Sequence, residues 1–142
     1  MENKETIKMN IAEAIAINDL MNNSKFGDAG VETITCLLEF KFALSKIASN
    51  KDEFLKQSAD SIKTEEYKEL VDKEDKTDEE KKALEDMSEE FNKKLNNIFN
   101  RYISNECDIE ISKIDKNEFY KFCKANDFNM AVIEFLYNKI VK

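Results

Sequence analysis

The chain contains no histidine, tryptophan or proline, and only two glycines among its 142 residues. Without histidine, the usual Ser-His-Asp and Cys-His catalytic groups, histidine-ligated zinc sites and an imidazole pH switch are excluded. Glycine stands only at positions 27 and 30. The P-loop and the dinucleotide fingerprint need more glycines for the backbone to approach a phosphate, so both are excluded. These absences predict a protein that is not an enzyme and holds no cofactor.

The cysteines are few and widely spaced. Cys36, Cys107 and Cys123 are odd in number and form no CxxC pair, so a four-cysteine zinc site is excluded. One disulfide is conceivable, but reduced thiols in a cytosol are the preferred interpretation. No apolar run reaches the ~18 residues of a membrane span, and the polar, charged segment Met1 to Thr6 is not followed by a signal-peptide core. We therefore expect a cytoplasmic protein that does not enter a membrane.

The length and composition are those of one folded domain. The chain is 42% hydrophobic and 37% charged, and it contains ten phenylalanines. A domain of this length can bury roughly two thirds of its unfolded surface, so it needs neither a metal nor a disulfide to fold. The sequence predicts a single domain over residues 1–142, with no internal repeat.

The negative charge is confined to one segment. Residues 65–90 hold 13 acidic residues and 5 lysines, which accounts for the whole net charge of −8. Arg101 is the only arginine, and a basic surface for nucleic acid is absent, so we expect no direct nucleic-acid contact. The acidic segment is interpreted either as a solvated, self-repelling helix tip or as an acidic surface that binds a basic groove on another protein. A calcium loop over Asp72–Asp78 is rejected, because the fifth position is lysine and the sixth is not glycine.

Short-range signals predict the N-terminal elements. Ile7-Lys8-Met9 alternates in polarity, which favours a short strand. Asn10 is a helix N-cap candidate, and the apolar face of the helix that follows continues through either Ala16 or Ile17 to Met21. Turn-forming residues at 22–30 then end the helix.

A long helical pattern begins at Val31. Apolar residues recur at steps of three and four, and the pattern predicts a helix that continues through Val71, with a kink near Ser58–Thr64 and a tip at residues 73–76. Thr77-Asp78-Glu79-Glu80 is a capping box that begins a second helix. The apolar face of the second helix consists of Leu84, Met87, Phe91, Leu95, Ile98 and Tyr102. Two such helices joined by a short charged tip are typical of an antiparallel hairpin.

The C-terminal part is predicted to be compact. The alternation from Cys107 to Ser112 predicts a strand, Asp115 is the expected cap of the next helix, and Asp127 or Asn129 caps the last one. The predicted fold class is mainly α: a long antiparallel, coiled-coil-like hairpin with short N- and C-terminal helices and a two-stranded ribbon of residues 7–9 and 109–111. The corresponding segments are 1–30, the hairpin 31–104 with its acidic tip near 72–80, and 105–142.

This order of elements resembles that of a group of small uncharacterised tailed-phage or prophage proteins with a helical hairpin. The resemblance is carried by Ile7-Lys8-Met9-Asn10 before a helix, the long charged hairpin, and Asp108-Ile109-Glu110-Ile111 before an apolar C-terminal end. It covers most of the chain and rests on layout. It implies a phage or prophage origin, hence a bacterial host cytoplasm, and a binding role, and it assigns no active site.

The preferred function is that of a non-enzymatic interaction protein, either a virion assembly factor or an inhibitor of a host defence complex. Its acidic surface would bind a protein partner from host or phage by charge. One alternative is a sponge for signalling nucleotides, and another is an enzyme using carboxylate pairs. The candidate partner-binding residues are the acids of the second helix: Glu79, Glu80, Glu85, Asp86, Glu89 and Glu90.

A homodimer is the expected oligomer. A helix over residues 31–72 would be about 60 Å long and its neighbour over 78–103 only about 40 Å. Part of the apolar stripe that starts at Val31 would then need cover, either from the terminal helices of the same chain or from a second copy. Phe40, Phe42 and Phe54 point to more than one side of the helix, which favours the second copy.

Overall fold

The computed structural model describes residues 4–142, and residues 1–3 lie outside the described part. Helix accounts for 71% of it, in six helices, and one small antiparallel sheet has two strands. The prediction of a mainly helical fold with a two-stranded ribbon is confirmed. No helix within residues 4–142 is long and apolar enough to cross a bilayer. The elements are β1 (Glu5–Asn10), α1 (Ile11–Asn22), α2 (Val31–Ile62), α3 (Glu65–Asp72), α4 (Asp78–Ile103), β2 (Glu106–Ile111), α5 (Lys116–Lys124) and α6 (Met130–Ile140).

The two strands pair as the alternation predicted. Ile7 lies opposite Ile109 and Met9 opposite Cys107 in an antiparallel register. Ile7, Met9, Ile109 and Ile111 are all buried. Because side chains on a strand alternate between two faces, one face of the ribbon packs into the core and the other carries its polar residues.

A reciprocal cap starts α1 directly after β1. The Asn10 side chain accepts a hydrogen bond from the Glu13 backbone N–H at 2.7 Å, and the Glu13 carboxylate accepts from the Asn10 N–H at 2.9 Å. Both orphan donors are thereby satisfied, which confirms Asn10 as the cap. Of the two alternatives for the apolar face, Ile17 is buried and Ala16 is exposed.

The described residues divide into two compact units. Unit 1 comprises the described residues up to Ser49 together with Glu106–Lys142, and unit 2 is Asn50–Asn105. The single domain predicted for residues 1–142 remains a prediction. Unit 1 holds the hydrophobic core, whose largest fully buried side chains are Phe40, Phe119, Phe122, Met21, Leu37, Leu44, Ile111 and Leu136.

The caps of the two C-terminal helices differ from each other. Asn129 caps α6 by accepting from the Val132 N–H at 2.9 Å, which decides between Asp127 and Asn129. Asp115 occupies the N-cap position of α5, but the prediction that its side chain caps the helix is wrong. The carboxylate instead faces the ammonium of Lys142, with Oδ1 3.4 Å from Nζ.

The continuous helix predicted over residues 31–72 is wrong. α2 ends at Ile62 and α3 begins at Glu65, so the chain breaks at the end of the predicted kink region, Ser58–Thr64. The Thr64 side chain accepts a hydrogen bond from the Tyr67 N–H at 3.0 Å and so caps a new helix. The 32 residues of α2 span about 48 Å rather than 60 Å. The two long helices therefore differ less in length than predicted, which weakens that argument for a dimer. The dimer itself remains a prediction.

Unit 2 is held together by half-buried contacts. None of the described residues 50–105 is fully buried. The rings of Phe54 and Tyr102 stack at 4.0 Å between centroids, and those of Tyr67 and Phe91 at 5.5 Å. The Tyr67 hydroxyl also lies 3.2 Å from Ser88 Oγ. Aromatic stacking therefore makes up much of the packing in a unit that has no enclosed core.

Candidate functional site

The acidic residues of interest lie on α4, which begins with the predicted capping box. Thr77 Oγ1 accepts from the Glu80 N–H at 3.1 Å, and Glu80 Oε1 accepts from the Thr77 N–H at 3.0 Å. Asp78, Glu79 and Glu80 occupy the first turn, where negative charge interacts favourably with the positive end of the helix dipole. The start of α4 is therefore fixed by its own sequence.

Glu80 is engaged in holding this turn together. The Lys73 ammonium donates a hydrogen bond to its Oε2 while the Thr77 N–H binds its Oε1. These two donors, Lys73 first, lower the pKa of Glu80 to about 2. Among the six predicted partner-binding residues, Glu80 thus has a local structural role in joining the chain between α3 and α4 to the first turn of α4.

The other five predicted residues are exposed and form two stripes along α4. Glu85 and Glu89 are four residues apart and share one side of the helix. Glu79, Asp86 and Glu90 are separated by seven and four residues and share a second side. At 100° per residue the two stripes lie about 100° apart around the helix axis. The structure therefore places these acids on one broad, solvent-facing surface, which we call the acidic face.

The charge on α4 changes sign along its length. Residues 78–90 hold seven acids and two lysines, whereas residues 91–103 hold two lysines and one arginine and no acid. Glu90 and Lys94 meet near the change, with Oε1 3.8 Å from Nζ, and an exposed pair of this kind contributes little to stability. Acids at the start of a helix and bases at its end stabilise the helix, because they interact favourably with its dipole. The same pattern concentrates negative charge in the first half of α4.

An open cleft lies between α3 and the start of α4, with a volume of about 420 Å³. Its lining combines carboxylates with two apolar side chains and the Lys73–Glu80 pair. Glu66 and Glu69 of α3 belong to this cleft, although they were not among the predicted partner-binding residues. Their three-residue spacing next to Leu70 is the only sequence signal of their shared side. The lining residues are Glu66, Glu69, Leu70, Lys73, Thr77, Glu79, Glu80 and Ala83.

A smaller cavity of about 110 Å³ lies beside the break between α2 and α3. Tyr67 and Phe91 form its aromatic wall, and Lys63 places its ammonium 5.8 Å from the Phe91 ring centroid. Lys94 adds a second cation to the lining. This cavity was not predicted, because it depends on the break between α2 and α3, and the apolar spacing continues across that break.

In a chain without histidine, carboxylates and cysteine thiols are the side chains that could hold a metal ion. Within residues 4–142, no three carboxylate or thiol side chains lie close enough together to hold a metal ion. Burial raises the pKa of the Cys107 thiol, and the nearby Asp108 charge raises it further. Burial likewise raises the pKa of Cys123. A raised pKa disfavours the thiolate, which is the nucleophilic form.

Comparisons of the chain with protein-family models, curated proteins and solved structures give no match. The resemblance to small phage proteins stays a prediction based on layout.

Proposed function

We propose that this chain is a non-enzymatic interaction protein, encoded by a phage or prophage, that binds a basic surface on another protein. The acidic face of α4 makes the contact, and an antiparallel helical hairpin presents it. The partner is a virion component during assembly or a host defence complex that the protein inhibits.

Three contacts within unit 2 support the hairpin layout. Phe54 stacks on Tyr102, Tyr67 stacks on Phe91, and Lys73 binds Glu80. As the first residue number of these pairs rises, the second falls, which is the order expected for two antiparallel arms joined by a tip. The tip comprises the residues between α3 and α4.

The concentration of charge is the observation that carries the proposal. All of the net charge of −8 lies within residues 65–90, and five acids of α4 point to solvent in two adjacent stripes. A surface with one sign of charge steers an oppositely charged partner and sets the register in which it binds. Acids needed only for helix stability would be confined to the first turn, since the dipole effect fades beyond it. Glu85, Asp86, Glu89 and Glu90 lie further along.

Two observations favour this function over the alternatives. A general acid needs a raised pKa, whereas the shift resolved on the acidic segment, that of Glu80, is downward. Sites for small ligands commonly measure about 300–1,000 Å³ and are mostly apolar. The aromatic cavity at Tyr67 and Phe91 has only about 110 Å³, and the larger cleft carries carboxylates that would repel a nucleotide.

Two variants of equal net charge test the proposal. The first replaces the exposed acids of the acidic face by their amides, namely Glu79→Gln, Glu85→Gln, Asp86→Asn, Glu89→Gln and Glu90→Gln, and leaves the capping residue Glu80 intact. The second replaces five exposed acids of unit 1 in the same way, namely Asp28→Asn, Glu32→Gln, Glu110→Gln, Asp127→Asn and Glu134→Gln. Binding of a decalysine peptide is measured by fluorescence anisotropy at low and high salt.

We expect the first variant to bind the peptide about tenfold or more weakly than the unaltered protein and to lose most of its salt dependence. The second variant should bind nearly as well as the unaltered protein. Equal binding by the two variants would mean that only net charge matters, and the acidic face would not be a site. The same three proteins, used as bait in a bacterial lysate, identify partners by mass spectrometry as those that the first variant alone fails to capture.

A further inference from the structure

The two outer edges of the β1–β2 ribbon differ in how their backbone groups are bonded. In an antiparallel pair, residues alternate between those that bond to the partner strand and those whose N–H and C=O point away from it. The Cys107 thiol donates a hydrogen bond to the Met9 carbonyl at 3.2 Å, so this carbonyl points toward β2. The Asn10 N–H and the Lys8 carbonyl bond instead to side chains of α1 and α6, so both point away from β2.

The outer edge of β1 is closed over half of its length. The Glu13 carboxylate accepts from the Asn10 N–H as part of the cap of α1, and the Lys139 ammonium donates to the Lys8 carbonyl. The strand also ends at Asn10, where α1 follows directly. A further strand on this edge would have to displace both contacts.

The outer edge of β2 is open. Glu106, Asp108 and Glu110 lie opposite the residues of β1 whose backbone groups point away from β2. Their own N–H and C=O groups therefore point outward as well. No backbone group outside the sheet bonds to them within residues 4–142. An unpaired strand edge of this kind is a template for an additional strand.

All three outward-pointing residues of β2 are acidic. Glu106, Asp108 and Glu110 are exposed, whereas Ile109 between them is buried. Their carboxylates therefore follow one another along the outer face of the ribbon, about 7 Å apart. Lys8, opposite Asp108, is the only cation that β1 and β2 place on this face. The open edge thus combines free backbone groups with a row of negative charge.

We propose that an extended peptide of alternating basic and apolar residues adds to β2 as a third, antiparallel strand. Its backbone bonds to the outward N–H and C=O groups of β2. Each peptide residue opposite Glu106, Asp108 or Glu110 has its side chain on the same outer face, so lysine or arginine there faces a carboxylate. The residues between them lie on the inner face beside Ile109, where apolar side chains fit. The site lies on β2 and does not depend on the acidic face of α4.

The charges argue against a second copy of this chain as the occupant. Two β2 edges paired antiparallel about Asp108 would place Glu106 opposite the partner's Glu110 and Asp108 opposite the partner's Asp108. Like charges directly opposite one another destabilise a pair of strands. A basic peptide makes the same three positions attractive. The edge therefore disfavours its own copy and favours a cationic strand.

Amide hydrogen exchange measured by NMR locates the strand. In the free protein, the Ile109 amide should exchange slowly and the Asp108 and Glu110 amides rapidly, because only the first bonds across the ribbon. The acetylated peptide Lys-Val-Lys-Val-Lys should slow exchange at Asp108 and Glu110 by about tenfold or more when bound. The same peptide bound to the acidic face of α4 would leave these amides unprotected.

Three results would overturn the proposal. Slow exchange at Asp108 in the free protein would show that the edge is already paired. Peptide binding that leaves Asp108 and Glu110 unprotected would place the peptide elsewhere on the protein. Absence of binding at about 1 mM peptide would show that the edge does not accept a strand of this chemistry.

Two N-methylated forms of the peptide separate backbone pairing from charge. A methyl group on the amide nitrogen of the central lysine blocks a hydrogen bond to β2, since that lysine lies opposite Asp108. A methyl group on a valine amide points away from β2. We expect the first form to bind at least about tenfold more weakly than the parent peptide and the second to bind equally well. Equal affinities of the two forms would rule out strand addition.

Two triple variants of the protein test the charge. The first replaces the acids of the edge by their amides, namely Glu106→Gln, Asp108→Asn and Glu110→Gln. The second makes the same exchanges at exposed acids elsewhere in unit 1, namely Asp28→Asn, Glu32→Gln and Glu134→Gln. The first variant should bind the peptide about tenfold more weakly than the unaltered protein, and the second nearly as well. Equal binding by the two variants would mean that the row of acids on β2 does not select the peptide.

Discussion

Glu118 on α5 accepts a hydrogen bond from the backbone N–H of Gly30, 88 residues earlier in the chain, at 2.8 Å. The same oxygen lies 3.3 Å from Thr33 Oγ1 in the first turn of α2, and the other carboxylate oxygen lies 3.0 Å from Lys121 Nζ. A β-carbon on Gly30 would lie 2.9 Å from Glu118 Oε1, which is too close. One carboxylate therefore fastens the start of α2 to α5, and glycine allows it to approach.

Replacement of Glu118 should lower the melting temperature in a graded, pH-dependent way. The Gly30 N–H first, and then Lys121, lower the pKa of Glu118 in the folded protein. Its charge-dependent stabilisation is therefore fully present above the ordinary carboxyl pKa and is lost as the pH falls through the lowered one. At pH 7 we expect the melting temperature to be highest for the unaltered protein, lower for Glu118→Gln and lowest for Glu118→Ala, because glutamine keeps an acceptor for the Gly30 N–H. The difference in melting temperature between the unaltered protein and Glu118→Gln, measured by circular dichroism, should become smaller in acid. A difference that becomes larger in acid would contradict this account.

Gly27 is the second position at which glycine is required. Its φ is +60°, and a β-carbon there would lie 2.7 Å from the Ala125 Cβ. We expect Gly27→Ala to destabilise the fold by about 1–2 kcal/mol for the left-handed backbone, with a further cost for the clash. Adding Ala125→Gly should relieve only the clash, so denaturant unfolding should show a partial recovery. A full recovery of the free energy of unfolding would mean that the left-handed backbone conformation does not destabilise the alanine variant.

A charge on the inner face of the ribbon should be strongly destabilising. Ile111 is 2% exposed and lies opposite Glu5 in the sheet. Ile111→Lys should reduce the free energy of unfolding by about 3 kcal/mol or more, because it buries an unpaired charge in place of an apolar side chain. Glu110→Lys, one residue away on the exposed face, should change it by about 0.5 kcal/mol at most. Equal urea midpoints for the two variants would contradict the burial of one face.

The Glu80 carboxyl group, in the first turn of α4, should titrate at unusually low pH. Glu80 has a pKa of about 2 against an ordinary value of 4.5. Its contribution to stability is present above pH 4.5 and is lost as the pH falls toward 2. In a carboxyl-carbon NMR titration, Lys73→Gln should raise the Glu80 midpoint, because the ammonium is its strongest hydrogen-bond donor. Lys81→Gln removes a nearby lysine that does not bind Glu80 and should leave the midpoint in place. If Lys73→Gln leaves the Glu80 midpoint unchanged, Lys73 is not the cause of the lowered pKa.

Features specified by neighbouring residues were predictable from the sequence. The side chains of Asn10 and Thr77 cap their helices by accepting a hydrogen bond from the backbone N–H three residues on, so each cap belongs to a local sequence pattern. The ribbon followed from alternation in two short segments. The break before Thr64 was predicted only as a kink, because Tyr67 stands where a capping box has glutamate or glutamine and the apolar spacing continues across the break.

The candidate site was predictable only in part. The acids of α4 share one run of sequence, so their exposure and spacing follow from the helix alone. Glu66 and Glu69 line the cleft because α3 is a separate helix beside α4, and sequence spacing does not give that geometry. The engagement of Glu80 by Lys73 likewise depends on where the chain turns between the two helices.

The division of the chain has a consequence for the order of folding during synthesis. Unit 2 is the single stretch Asn50–Asn105, whereas unit 1 needs residues from both sides of it. β1 leaves the ribosome early, but its partner β2 follows only about a hundred residues later, so the closure of that long loop must wait. The helices of unit 2 are complete first. Until β2 emerges, Ile7 and Met9 lack the strand they pair with. The newborn chain therefore passes through a stage in which the apolar side chains of β1 are exposed, and a chaperone that binds apolar segments would have its longest opportunity to bind there.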